Sequence, residues 1–144
     1  MTAISADKNR KRLGESRGFV PQRLPVAAVK VPAGAMAAMN TSGYMTNAGA
    51  TSSLKIIGVN QVMADNSGGS AGDISSERVE RGTYLFANST STDEITAADI
   101  GAWCYAVDNN TVAKTDNTGA RPKAGKIVGV ESSGVWVEVG VYPV

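Results

Sequence analysis

Apolar and polar positions alternate along most of this chain, and the alternation begins only after residue 24. In the last stretch Val135, Val137, Val139 and Val141 share one face, and Trp136, Glu138 and Gly140 share the other. That period of two is what a half-buried strand requires. Trp103 to Val107 and Thr111 to Lys114 flank the turn residues Asp108-Asn109-Asn110, and Lys126 to Val130 is followed by Glu131-Ser132-Ser133-Gly134 and Val135 to Val141. Both patterns predict hairpins. Upstream, short strands are predicted in Val26 to Val31, Ala35 to Met39, Tyr44-Met45, Leu54 to Met63, Ile74 to Glu80 and Thr83 to Ala87, with Gly82 suited to a bulge or corner. The one helical turn predicted is Thr96 to Gly101, with Thr96 as cap and Asp99 three residues on. Strands at this spacing predict an all-β fold, a small sandwich or barrel.

The strand pieces recur in order. Gly34-Ala35, opening the run to Met39, is echoed by Gly101-Ala102, opening the run to Val107, an offset of 67 (101 − 34). Lys55-Ile56-Ile57-Gly58-Val59 returns as Lys126-Ile127-Val128-Gly129-Val130, an offset of 71 (126 − 55). Val79-Glu80 to Tyr84 returns as Val137-Glu138 to Tyr142, an offset of 58 (137 − 79). Order-preserving echoes predict two similar β-units, at approximately 34–84 and 101–142, within a β-domain of residues 25–144.

Residues 1–24 form a basic arm before that domain. Lys8, Arg10, Lys11, Arg12, Arg17 and Arg23 stand there against Asp7 and Glu15, a net charge of +4, whereas the other 120 residues carry 8 basic and 11 acidic side chains, a net −3. Residues 1–22 show neither strand nor helix periodicity and bury too little to offset their ordering entropy. The segment is either a solvated tail or an arm that orders on an acidic partner. The second is the expectation pursued, with Lys8, Arg10, Lys11, Arg12, Leu13, Arg17, Phe19 and Val20 as contact residues. An acidic body speaks against nucleic acid as that partner.

Composition excludes more than it assigns. Histidine is absent and Cys104 is the only cysteine, which removes Ser–His–Asp triads, Cys–His pairs, zinc-finger sites and internal disulfides. Cys104, between Trp103 and Tyr105, reads as a small buried hydrophobe. Asp65-Asn66, Asp108-Asn109-Asn110 and Asp116-Asn117 lack the spacing of a calcium loop and read as turn formers. Gly68-Gly69-Ser70-Ala71-Gly72 lacks the Lys-Ser/Thr ending of a phosphate loop. No catalytic residue, cofactor or metal is expected. No apolar run approaches the length of a membrane span. With aromatics at 6%, the core must be mostly aliphatic. Trp103 and Trp136 are candidates for a subunit interface.

Three segments carry a resemblance. The first is Ala97 to Gly101 continuing through Cys104-Tyr105-Ala106-Val107-Asp108 to Val112-Ala113-Lys114-Thr115-Asp116. The second is Ala124 to Val130 with Gly134 to Glu138, and the third is Arg78 to Ser89. Together they resemble small head proteins encoded beside the major capsid protein in Mu-like and related tailed phages, over roughly residues 25–140. The resemblance implies a capsid cement (decoration) protein that binds the outside of the expanded shell, with the major capsid protein as partner and no catalytic residues. The lack of a signal-like apolar segment and of cystines predicts synthesis in the host cytoplasm, and further copies of the chain, most simply in a homotrimer, are expected as partners because symmetric copies make modest contacts add up. The competing expectations are a tail or baseplate connector and a small host- or sugar-binding β-module.

Overall fold

The computed structural model describes residues 2–14 and 18–140. Glu15, Arg17, Val141 and Tyr142, named above, lie outside the described residues. Twelve strands follow in order: β1 Arg12–Leu13, β2 Lys30–Val31, β3 Met36–Met39, β4 Met45–Asn47, β5 Lys55–Asn60, β6 Ala64–Asp65, β7 Val79–Glu80, β8 Gly82–Asn88, β9 Trp103–Ala106, β10 Thr111–Ala113, β11 Lys123–Glu131 and β12 Gly134–Val139. The helical content is two single 3-10 turns, Ser91–Asp93 and Ala97–Asp99. In the second, the Asp99 carboxylate accepts the Thr96 N–H at 2.8 Å, the capping predicted there. The chain is all-β.

Strands β8-β10-β9-β11-β12 run side by side and β12 pairs back onto β8, closing a five-stranded barrel. A second sheet runs β4-β3-β5-β7, and β2 pairs β6. The two larger sheets are copies of one ladder. In β3–β5, Ala37 pairs Gly58 and Ala38 pairs Ile56, with Ile57 bulged out. In β9–β11, Cys104 pairs Gly125 and Tyr105 pairs Lys123, with Ala124 bulged out. The hairpin pair Met39–Met45 corresponds to Ala106–Val112. Every residue here is displaced by 67 (104 − 37, 125 − 58, 112 − 45). The Val59–Glu80 pair of β5–β7 then matches the Lys126–Glu138 pair of β11–β12.

Loop bonds follow the same rule. Gly34 N donates to Asn60 O at 2.7 Å and Gly101 N to Ile127 O at 2.8 Å. Asn40 N donates to Tyr44 O and Val107 N to Thr111 O, both at 3.0 Å.

The predicted duplication is therefore present as matching ladders, with one correction. Lys55–Val59 and Lys126–Val130 are four residues out of register, because the counterpart of Gly58 is Gly125, not Gly129. The reason is steric. A Cβ on Gly58 would lie 2.5 Å from Glu80 O, and one on Gly125 would lie 2.1 Å from Glu138 O. At Gly129 the nearest atom would be 3.5 Å away, in ordinary contact. The bulge presses backbone onto backbone at one point in each ladder, and only glycine fits there.

Residues 19–26 belong to the first unit and take the place that β8 holds in the second. Phe19 bridges Glu80 antiparallel and Val26 bridges Met45 parallel, as Thr83 pairs Glu138 and Asn88 pairs Val112 across the barrel. Pro21 and Pro25 have no N–H to donate, so bridges replace a continuous ladder. The predicted strands at Val26 to Val31 and Ile74 to Glu80 shorten to β2 and β7.

Each unit encloses its own apolar cluster. Ala37, Met45, Ile57 and Val79 lie in the first, and their counterparts Cys104, Val112, Ala124 and Val137 lie in the second. Val135, Val137 and Val139 are fully buried together, as their alternation predicts. Met36, Ala38, Ile56 and Val59, on the other side of the first sheet, join the barrel's cluster. That sheet is thus covered on both faces. Full burial of a side chain such as Ile56 or Val59 contributes about 1.5–3 kcal/mol, and these four weld the units together.

Candidate interaction surfaces

The arm lies on its own molecule. Asn109 holds Ile4 by both backbone groups, accepting Ile4 N at 2.9 Å and donating to Ile4 O at 3.1 Å. Lys8 N donates to Ala33 O, and Asp7 Oδ1 accepts Ala33 N, both at 2.8 Å. Lys8 O sits 2.2 Å from where a Cβ on Gly34 would be, an approach that only glycine permits. Further on, β1 pairs antiparallel with β8 through Arg12–Tyr84 and Leu13–Thr83.

Arg10 is the fastener. It is 9% exposed, with Nε donating to Gly34 O and Nη1 to Leu85 O, each at 2.8 Å. Its guanidinium carbon stands 4.4 Å from the Phe86 ring centroid. It thereby ties the first unit, the arm and the barrel at one point. Burial lowers its pKa to about 10 despite the opposing influence of Asp108. Arg12 Nη1 and Arg78 Nε meet the two oxygens of the buried Glu80 at 3.3 and 3.2 Å.

The expectation that residues 1–22 lack structure until they meet an acidic partner is therefore corrected for the described part. Polar capture replaces the missing apolar burial: backbone pairing with β8, the Asn109 clasp and Arg10 supply what hydrophobic contact cannot. Arg10, grouped by sequence with the partner-facing cations, is spent internally. Phe19 and Val20 belong to the first unit rather than to the arm, and Ile4, which the charge-led reading passes over, packs against the first unit's core. Lys8 and Lys11 remain exposed, and Leu13 and Phe19 are each 52% exposed.

The barrel's free side presents a second surface. Trp103, Tyr105, Lys123 and Lys126 are the counterparts of Met36, Ala38, Ile56 and Val59, yet all four keep solvent contact. The Lys126 and Lys123 ammonium groups stand 4.7 and 5.0 Å from the Trp103 ring centroid, over a π-face that attracts them. Glu138 stands across the ladder from Lys126. Trp136 is half-buried, its indole N–H donated to Glu131 Oε2 at 2.9 Å.

A cavity of about 420 Å³ opens at the barrel mouth, lined by hydroxyl residues with Glu94 and Glu131, and none of its walls is aromatic. Cys104 is fully buried, and burial pushes its thiol up to about 12, far from nucleophilic use. Among the described residues no three carboxylate or thiol side chains converge as a metal site would require. Asn66 and Asn109, read by sequence as turn formers, are also buried clasps; Asn66 Nδ2 donates to Ser70 O at 2.8 Å and Val26 O at 3.1 Å. Nothing in local sequence distinguishes such an amide from a turn residue. Comparison of the chain with family models, curated proteins and solved structures finds no match.

Proposed function

We propose that this chain is a non-enzymatic capsid cement protein, binding the outer surface of an expanded phage shell and bridging neighbouring major capsid subunits. The observation that carries the reading is the unequal use of two equivalent sheet faces. One is buried inside the molecule, and the other holds Trp103, Tyr105, Lys123 and Lys126 outward on a closed barrel. Aromatic rings on a rigid support are what the centre of a contact surface uses, with charged side chains at its rim. The three segments that resemble small phage head proteins coincide with β7–β8, β9–β10 and β11–β12, so apart from β7, which pairs with β5 in the other sheet, they fall on the barrel strands. A protein that binds only the expanded lattice stabilises that lattice by mass action, and symmetric copies such as trimers add avidity. A sugar-binding module would need a free aromatic platform; the mouth cavity has no aromatic wall, and the Trp103 ring already has the Lys123 and Lys126 ammonium groups against it.

The test uses shells of the major capsid protein that this reading assigns as partner, before and after expansion. Expanded shells should take up hundreds of copies and resist heat disruption at a higher temperature, while unexpanded shells take up none. Trp103→Ala with Lys126→Glu should weaken uptake at least about tenfold, since buried aromatic anchors dominate such contacts. A handful of copies per particle would favour a tail or baseplate connector, and no binding to either shell would end the cement reading.

A further inference from the structure

The arm crosses one turn of the first unit, and the second unit carries the same turn uncrossed. Ala35 N donates to Pro32 O at 3.3 Å, and 67 positions on (102 − 35) Ala102 N donates to Asp99 O at 3.0 Å. Asn60 N donates to Ala35 O and Ile127 N to Ala102 O, both at 2.9 Å. Gly34 and Gly101 share a left-handed backbone, at φ +88° and +95°. Their surroundings differ. Over the first turn Lys8 N donates to Ala33 O, Asp7 Oδ1 accepts Ala33 N and Arg10 Nε donates to Gly34 O, each at 2.8 Å. Gly34 and Ala35 are buried there. At the second turn Gly101 and Ala102 are exposed, and among the described residues nothing beyond the chain neighbours lies within 4 Å of a Cβ built on Gly101.

Three features decide what fits across the second turn. Ile100 O, the twin of Ala33 O, accepts from none of the described residues. Gly101 O, the twin of Gly34 O, already has a cation, because Lys126 Nζ approaches it at 3.4 Å in the role of Arg10. Ile100 and Val128, beside the bonded pair Gly101 and Ile127, are 50% and 42% exposed. Their twins in the first unit are Ala33 and Gln61, so an apolar pair has been placed where the covered turn has none.

We propose that the turn at 99–102 is a docking site for an extended, uncharged segment of a partner chain, which crosses it as the arm crosses its twin. A backbone N–H of that segment donates to Ile100 O, as Lys8 N does to Ala33 O, and an apolar side chain beds between Ile100 and Val128. A cationic segment is disfavoured, because Lys126 already stands at Gly101 O and repels it. Trp103 and Lys126 adjoin the turn, so the site continues the surface assigned above to the capsid subunit. That identity of the partner rests on the cement reading, whereas the site and its chemistry do not.

The experiment titrates the full chain, followed by its amide resonances, with two heptapeptides: an acetylated alternation of serine and valine, and the arm's own sequence from Ser5 to Lys11. The serine–valine peptide should shift the amides of Ile100, Gly101 and Ala102 at millimolar concentration, at least about tenfold below the arm peptide. Ala33 and Gly34, which the arm covers, should stay unmoved. Ile100→Glu with Val128→Glu, both at exposed positions, should abolish the shifts without lowering the melting temperature. Equal response to both peptides, or no response at residues 100–102, would overturn the proposal whatever the shells do. On expanded shells the same double variant should bind at least about tenfold more weakly than the unaltered chain, and undiminished uptake would overturn the seating of a capsid segment here. If shells do not take up even the unaltered chain, the cement reading falls and the peptide titration alone decides the site.

Discussion

The β3–β5 and β9–β11 ladders share their register, bulge and glycine but not their residues. Where the first reads Met36-Ala37-Ala38-Met39, the second reads Trp103-Cys104-Tyr105-Ala106, and where the first has Ile56 and Val59 the second has Lys123 and Lys126. Inward positions are apolar in both. Outward positions are wholly aliphatic in the sheet that the barrel covers, whereas on the uncovered ladder they are amphipathic aromatics and lysines. The contrast separates two determinants that single sheets confound: strand pairing is set by the bulge and turns, whereas the apolar pattern is set by how many faces are covered.

The sharpest way to break this comparison is to exchange one outward pair. Ile56→Lys places an ammonium group between two apolar clusters and should cost about 3–5 kcal/mol, the range for an uncompensated buried charge. The reciprocal Lys123→Ile, on the open face, should stay within about 0.5 kcal/mol. Urea unfolding of both variants measures the difference, and similar costs would mean the two faces are not differently covered. A smaller effect sharpens the register. Gly125→Ala drives a methyl into Glu138 O and should cost about 3 kcal/mol, the upper end for overpacking, while Gly129→Ala should cost under about 1 kcal/mol. The reverse order would restore the equivalence of Gly58 with Gly129.

The smallest effect concerns acid. Thr115 and Arg121 hold the Asp93 carboxyl below its ordinary value, the Thr96 N–H and Lys114 do so for Asp99, and Ser133 and Trp136 do so for Glu131. A carboxyl whose folded pKa is depressed contributes stability above its unfolded value and loses it as pH falls through the folded one. These three lie in or beside the barrel, against Asp65 alone in the β2–β6 pair, held low by Ser67, so the loss belongs mainly to the barrel unit. Melting temperature should hold from pH 7 to about 5 and fall below about pH 4, where unfolded carboxylates begin to take up protons. Amide protection should fade first in the turns at 91–99 and the 131–134 hairpin. Loss beginning instead in the β3–β5 sheet would contradict this assignment.

Much of this was legible in the residue pattern, and what was not has identifiable causes. Alternation exposed β12 and the β9–β10 hairpin because each has one wet face. The Gly34 and Val79 echoes carried the true offsets. The echo at Lys55 misled because burial on both faces makes Ile56-Ile57-Gly58-Val59 uniformly apolar, so it matched the apolar run at Ile127 rather than the amphipathic one at Ala124. The arm was misjudged because its docking rests on Arg10, Asn109 and backbone pairing, none of which has a periodic signature. Of the two tryptophans named as interface candidates, Trp103 stands on the uncovered face, and Trp136 is held by Glu131 within its own chain.

The way the arm is fastened also sets a timetable for making the molecule. Arg10 waits for Leu85, Ile4 for Asn109 and Thr2 for Asn110, partners 75, 105 and 108 positions further along. At roughly 5–20 residues per second of synthesis, the arm stays without its docking site for about 5–20 s after it is made. Through that interval its cations and backbone groups are open to other contacts. The arm therefore docks only after the β9–β10 turn has been made, more than 100 positions after Ile4 and Thr2.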